Sequence, residues 1–161
     1  MGEKTIAWLH TVSPRDIRLV PEQLTPIDGL GFKAKICGEE DLYLNWLRST
    51  DHIQKGITSV KYDLIVTGVT SYNSCLAEGF DLFESIANGS LNSGTPLIVA
   101  SRHETHEPEF QGIAKHFVPG GIARDYVLLH LPENGTLQEL TQKIVFEMKK
   151  YINGYQMVTN T

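Results

Sequence analysis

The chain contains six histidines, whose imidazoles could bind a metal ion. Two of them, His103 and His106, stand three positions apart in a polar segment. Tetrahedral zinc needs a third and usually a fourth ligand, which only folding could bring, for example His10 or His130. Because spacing within a loop fixes no coordination geometry, we interpret this segment as a polar surface loop and predict no metal site.

Hydroxyl groups form a second set of candidate ligands. Thr67, Thr70, Ser71 and Ser101 end or follow apolar runs of the kind that form strands, so they could contact a small ligand or a partner at one edge of a sheet. A nucleotide-binding loop is not predicted, since Gly29-x-Gly31 lacks the third glycine and precedes a strand instead of following one. The sequence therefore predicts no cofactor.

The composition is that of an ordinary globular protein. Of 161 residues, 41% are hydrophobic and 20% charged, which suits one domain with its own core. We predict a single domain over residues 1–153 and a polar tail over 154–161. The two cysteines are too few for a disulfide framework, and no signal-peptide pattern is present. We expect a cytoplasmic protein with no membrane partner, and the net charge of −5 argues against nucleic acid.

Short apolar runs alternate with longer amphipathic segments, which is the pattern of a parallel sheet covered by helices. The predicted strands are 5–10, 31–37, 63–67, 95–100 and 126–130. One predicted helix begins near Ser13, and the others cover 39–47, 78–87, 108–116 and 137–151, the last with Thr136 as its N-cap. Residues 49–60 are predicted to be a polar connection. This order predicts a flavodoxin-like α/β fold, a three-layer sandwich with a five-stranded parallel sheet of order 2-1-3-4-5 and helices on both faces.

Several strings, in order and in spacing, resemble the receiver domains of bacterial response regulators. Tyr62–Gly68 and Glu78–Ile86 resemble the central strand and third helix of that family, and Gly94–Ser101 resembles its fourth strand, which ends in a switch hydroxyl. Gly120–Tyr126 resembles the turn that enters the fifth strand, and Gly29–Phe32 the end of the first helix. The resemblance covers nearly the whole chain.

The positions that would carry receiver chemistry hold other residues in this chain. The resemblance places the phosphoacceptor at Gly68, the acidic magnesium-binding pair at His10 and Thr11, and the phosphate-contacting lysine near His130. Only Ser101, at the switch position, keeps the expected hydroxyl. Aspartyl phosphorylation needs an acceptor carboxylate and a metal that neutralises the phosphoryl oxygens. The resemblance therefore implies a degenerate phosphoacceptor pocket, and hence a pseudo-receiver that is not an enzyme.

A pseudo-receiver is expected to act by binding proteins. The resemblance implies a signalling partner in trans, such as a histidine kinase or an output protein, and a possible homodimer through the face formed by the fourth helix, fifth strand and fifth helix. Tyr126 and the outer side of the last helix would lie on that face. The buried stripe of this helix is predicted to contain Leu140, Ile144, Met148 and either Val145 or Phe146. The alternative is that the helix is merely an amphipathic cover for the sheet.

An enzymatic alternative rests on a second, looser resemblance. Thr70–Glu78, followed by glycine and phenylalanine, is similar to nucleoside deoxyribosyltransferases and to related NAD-cleaving folds. That resemblance implies Glu78 as the catalytic nucleophile, with Ser71, Tyr72 and Asn73 around a sugar. Glu78 is equally suited to the first turn of a helix, where the helix dipole favours a carboxylate.

Overall fold

The computed structural model describes residues 2–9, 12–67, 91–92, 94–101, 126–130 and 135–160, with the backbone alone at residues 99, 101, 126–128, 130 and 152–160. Seven strands are present in this part of the chain: β1 (Lys4–Trp8), β2 (Thr25–Ile27), β3 (Gly31–Lys35), β4 (Leu42–Trp46), β5 (Leu64–Thr67), β6 (Leu97–Ser101) and β7 (Tyr126–His130). The described helices are α1 (Thr50–Ser59) and α2 (Leu137–Asn160).

The strands form one mixed sheet of order β2-β3-β4-β1-β5-β6-β7. Its larger part, from β4 to β7, is parallel. At the other end, β2 and β3 pair antiparallel, and β3 and β4 pair antiparallel as well. The predicted five-stranded, all-parallel flavodoxin-like sheet is therefore wrong. The segment predicted as the second strand is β3, which runs antiparallel and is separated from β1 by β4.

The main error lies at residues 39–47, which were predicted as a helix and contain β4 instead. Leu42, Leu44 and Trp46 are buried in the core at every second position, which is the period of a strand. The turn before β4 contains Gly38, whose φ of 83° lies in the left-handed region that glycine adopts readily. This turn lets the chain reverse and pair β4 with β3, which local helical spacing did not reveal.

Residues 49–60, predicted as a polar connection, contain helix α1. Ser49 is its N-cap, and the Ser49 hydroxyl accepts a hydrogen bond from the His52 backbone N–H at 3.1 Å. Ile53, Gly56 and Ile57 are buried at the spacing of one helical face. The remaining positions are polar because that side of α1 faces solvent, and this polarity concealed the helix in the sequence.

The helix predicted to begin near Ser13 is not formed either. Residues 14–18 form a series of turns, in which the Leu19 backbone N–H donates to the Pro14 carbonyl at 2.8 Å. Arg18 has a φ of 56°, which interrupts right-handed winding. The segment nevertheless covers the sheet, because Ile17, Leu19 and Val20 belong to the buried core.

The described helices lie on opposite faces of the sheet. Leu140, Ile144 and Met148 of α2 belong to the same buried cluster as alternate residues of β1, β4, β5 and β6. On the other face, Gly56 of α1 lies against Leu47, and an added Cβ there would lie 2.9 Å from the Leu47 Cδ1 atom. None of the helices in the described part of the chain is both long and apolar enough to span a membrane.

Helix α2 agrees with its prediction at its start and along its buried stripe. The Thr136 hydroxyl accepts from the Glu139 N–H at 3.1 Å, which confirms the predicted cap, and α2 runs on to Asn160, past the predicted end. Phe146 was one of two candidates for the buried stripe, and this prediction is wrong, because Phe146 is 67% exposed. Its position on the outer side follows from helical geometry, since Ile144 two positions earlier faces the sheet.

Candidate functional site

The five parallel strands all end at one edge of the sheet, here called the carboxyl edge, which is where α/β proteins bind ligands. Thr67 is the last residue of β5, and Ser101 and His130 are paired at the ends of β6 and β7. The structure thus brings these predicted site residues to the same edge. Thr67 is only 1% exposed, so its side chain is part of the packed interior there.

Tyr126 lies elsewhere, since it begins β7 opposite Leu97 and so stands at the other edge of the sheet, here called the amino edge. The other residues predicted for the phosphoacceptor pocket, for ligand contacts or for catalysis lie outside the described residues, as does the loop from His103 to His106. They are His10, Thr11, Gly68, Thr70, Ser71, Tyr72, Asn73 and Glu78.

A different group of residues occupies the described part of the carboxyl edge. Trp46 ends β4 and pairs with Phe32 of β3, with 6.4 Å between the ring centroids. The guanidinium carbon of Arg48 lies 4.7 Å from the centroid of Trp46 and 5.8 Å from that of Phe32. The guanidinium carbon of Arg15 lies 5.5 Å from the centroid of Trp46. We call Arg15, Arg48, Phe32 and Trp46 the arginine–tryptophan cluster.

The fold explains how these side chains meet. Trp46 and Phe32 are directly opposite in the antiparallel pair of β3 and β4, so they share one face of the sheet. Arg48 is two positions beyond Trp46, and a period of two returns it to that face. Gly31 is the first residue of β3, with a φ of 96°, and a Cβ at this position would overlap the Trp46 carbonyl oxygen.

The charges in the cluster are uncompensated within the described residues. Arg15 and Arg48 are exposed, and no described carboxylate forms an ion pair with either of them. The three ion pairs that join described residues lie at the amino edge instead: Lys4–Asp63, Lys35–Glu40 and Lys149–Glu39. Within the described ranges, no group of three or more histidine, cysteine or acidic residues could hold a metal ion. Among the described residues, the cluster is therefore a cationic site.

The chemistry of the cluster follows from guanidinium geometry. Each guanidinium carries five N–H donors in a planar fork, and stacking over an aromatic ring leaves the in-plane donors able to bind. Each such fork matches the oxygens of a carboxylate or a phosphate. Trp46 is itself only 6% exposed, and its indole N–H has no hydrogen-bond partner among the described residues.

The amino edge has the opposite character. Asn92 is fully buried there, and its Nδ2 donates to the carbonyls of Ile57 and Val60 at 2.7 and 2.8 Å. Its Oδ1 accepts from the Tyr62 N–H at 3.0 Å and lies 3.0 Å from the Thr95 hydroxyl. This one side chain thus satisfies backbone groups at the end of α1 and at the start of the next segment, which a helix end requires.

A small cavity of about 190 Å³ opens at the same amino edge, beside Lys4, Lys61, Asp63 and Tyr151. Its charged groups already have partners, because Lys4 pairs with Asp63 at 3.9 Å and the Lys61 ammonium donates to the Thr95 hydroxyl at 2.7 Å. The cavity is therefore a weaker candidate for a charged ligand than the arginine–tryptophan cluster.

Comparison of the sequence with protein-family models and with curated proteins gives no match. The sequence contained one signal for the cluster, a tryptophan and an arginine two positions apart at residues 46 and 48. That signal becomes visible only when β4 is recognised as a strand, because in a helix residues two positions apart face different sides.

Proposed function

We propose that the protein is a non-enzymatic, phosphorylation-independent interaction module that binds a partner protein in trans at the carboxyl edge of its sheet. The observation that supports this most is the arginine–tryptophan cluster, in which two exposed guanidiniums stack on one buried indole without an acidic partner among the described residues. Arginine is among the residue types that most often dominate binding energy in protein interfaces.

Independence from phosphorylation is supported by the sequence around the end of β5. Residues 64–77 contain neither aspartate nor glutamate, so no aspartyl phosphate can form directly after this strand. The strings that resemble receiver domains suggest a signalling role, with a histidine kinase or an output protein as the partner. Because the sheet is mixed, the resemblance to receiver domains is limited to the sequence strings. The resemblance therefore supports the proposed class of partner, but it says nothing about the geometry of binding.

A cytoplasmic location is part of the proposal. Cys37 is a free, exposed thiol, which suits a reducing compartment better than an oxidising one. Secretion into an oxidising compartment would leave this thiol open to intermolecular pairing. Fractionation of cells that produce the protein, followed by immunoblotting, should recover it in the cytoplasmic fraction, and recovery outside that fraction would contradict the location.

Site-specific photo-crosslinking in the cells of origin tests the proposal. A photoreactive benzoylphenylalanine at Asp16, which is exposed beside Arg15, should produce a discrete adduct with one partner protein. The same residue at Glu3, which is exposed at the amino edge, serves as the matched control and should produce none. Incubation of the purified protein with acetyl phosphate and Mg²⁺ should leave its mass unchanged. Crosslinking from Glu3 alone, or a magnesium-dependent phosphoryl adduct, would contradict the proposal.

A further inference from the structure

We infer that the arginine–tryptophan cluster recognises the carboxylates of an acidic peptide segment on the partner. This inference rests on the proposed function and deepens it, since it names the chemistry of the partner. Its basis is the juxtaposition of two exposed guanidiniums, from Arg15 and Arg48, over the single ring of Trp46.

The guanidiniums are held ready to bind. Arg48 stacks against two rings at once, those of Trp46 and Phe32, and these rings are fixed by strand pairing. Arg15 reaches the same indole from a turn that is anchored in the core by Ile17. Stacking restricts both side chains before a ligand arrives, so less side-chain entropy is lost on binding. An arginine pair held in this way is more selective than freely moving surface lysines.

The neighbourhood favours carboxylates carried by a peptide over a phosphate seated on the nearby helix. The N-terminus of α1 begins two residues after Arg48, but the Ser49 hydroxyl already accepts a hydrogen bond from it. Asp51 in the first turn places a negative charge there as well, which offsets the helix dipole that would attract a phosphate. Among the described residues at this edge, the two guanidiniums are therefore the available donors, and both belong to exposed residues that a peptide chain can reach.

Charge distinguishes an acidic peptide from a nucleic acid. Binding to a polynucleotide backbone depends on many basic contacts, whereas the described carboxyl edge offers two arginines. The chain as a whole carries a net charge of −5. This net charge repels a long polyanion, and the two positive charges of the cluster are too few to offset that repulsion along its length. A short acidic segment, in contrast, interacts with the local pair.

Fluorescence anisotropy with a fluorescein-labelled hexaglutamate peptide tests the inference, with hexaglutamine as the matched peptide. We expect hexaglutamate to bind and hexaglutamine not to bind, with affinity falling as salt is raised from 50 to 300 mM. Arg48→Gln and Arg15→Gln should each weaken binding about tenfold, and the double variant should abolish it. Arg48→Lys should recover only part of the loss, because the charge returns without the planar fork.

Lys33→Gln is the matched control variant. Lys33 is also exposed and stacks on an aromatic ring, with its Nζ 5.2 Å from the centroid of Tyr43, yet it lies outside the cluster. Its replacement should change affinity less than twofold. The inference is overturned if the double arginine variant binds hexaglutamate as tightly as the parent protein, or if an RNA oligonucleotide binds more tightly than hexaglutamate. If hexaglutamate fails to bind while the photo-crosslink from residue 16 persists, this inference fails and the proposed function stands.

Discussion

The two edges of the sheet use their polar groups differently. At the amino edge, Asn92 joins the end of α1 to the segments on either side of β5, and the ion pairs of Lys4 and Lys35 are complete within the chain. At the carboxyl edge, Arg15 and Arg48 stack on Trp46 but meet no described carboxylate. The amino edge is satisfied by the chain itself, whereas the carboxyl edge leaves donors for another molecule.

This difference indicates where stability and binding reside. A buried polar group that loses its partner costs about 1–3 kcal/mol, so the Asn92 network resists substitution. Exposed guanidiniums over an indole contribute only about 0.5–1 kcal/mol each to folding. We therefore expect substitutions at the amino edge to lower the free energy of unfolding, and substitutions in the arginine–tryptophan cluster to affect mainly binding.

The largest loss in the free energy of unfolding is expected from Gly31→Ala, because the added methyl group would displace the backbone at the carboxyl edge. The added Cβ would overlap the Trp46 carbonyl oxygen, and the φ of 96° is strained for alanine. Unfolding in urea should show a loss of at least about 3 kcal/mol. Gly38→Ala is the control, because its φ is 83° but no atom lies within 4 Å of the added Cβ, and it should cost about 1–2 kcal/mol. Equal losses for the two variants would contradict this account of Gly31.

Asn92→Ala should produce the next largest loss, at the amino edge. The substitution leaves the carbonyls of Ile57 and Val60 and the N–H of Tyr62 without their partner. We expect the free energy of unfolding to fall by about 2–4 kcal/mol, as measured by urea denaturation. Affinity for hexaglutamate should stay within twofold of the parent value at temperatures where the variant is folded. A loss below 1 kcal/mol would show that the network is not a main source of stability.

The double variant Arg15→Gln, Arg48→Gln should show the reverse behaviour. Its free energy of unfolding should change by less than about 2 kcal/mol, because only the ring contacts of two exposed guanidiniums are lost. Its affinity for hexaglutamate should nevertheless disappear. If urea denaturation shows a larger loss than that of Asn92→Ala, the guanidiniums are part of the stabilising structure and the division between the edges is wrong.

The smallest change in the free energy of unfolding is expected at alkaline pH, where the phenol of Tyr62, which lies beneath α1, ionises. Burial raises the pKa of the Tyr62 phenol above its usual value, and the hydrogen bond from Asn45 opposes part of that change. Because the folded state holds this proton more tightly, the stability it contributes is complete below about pH 10 and declines as pH rises through the folded-state pKa. Urea midpoints measured from pH 8 to 11 should fall more steeply for the parent protein than for Tyr62→Phe. Parallel curves would contradict the effect of burial.

The sequence predicted those elements whose patterns are local and unambiguous. Strands at Leu64–Thr67 and Tyr126–His130 followed from apolar, β-branched runs, and α2 followed from its cap at Thr136 and its stripe. The segment from residue 39 to 47 was predicted as a helix because the spacing of its leucines suits a helix as well as a strand. Only the chain reversal at Gly38 distinguishes the strand from the helix. The wrong sheet followed because β4 at Leu42–Trp46 was predicted as a helix and β2 at Thr25–Ile27 was not predicted.

Prediction of the candidate site depended on whether residues 39–47 form a helix or a strand. With residues 39–47 read as a helix, Trp46 and Arg48 face different sides, and Phe32 has no reason to lie opposite Trp46. Once β3 and β4 are paired, the register places both rings together and brings Arg48 to the same face. Arg15 could not have been placed from the sequence at all, because its turn follows β1 without a regular repeat. Long-range pairing, which local patterns do not encode, therefore determines the site.

The most direct test of the division between the two edges is an NMR titration of the ¹⁵N-labelled protein with hexaglutamate. We expect the largest chemical-shift changes at the indole N–H of Trp46 and the guanidinium N–H groups of Arg15 and Arg48. The side-chain amide of Asn92 and the backbone N–H of Tyr62 should stay unchanged throughout. Shifts centred on Asn92 and Tyr62, with the cluster unmoved, would contradict the claim that the carboxyl edge is the binding edge.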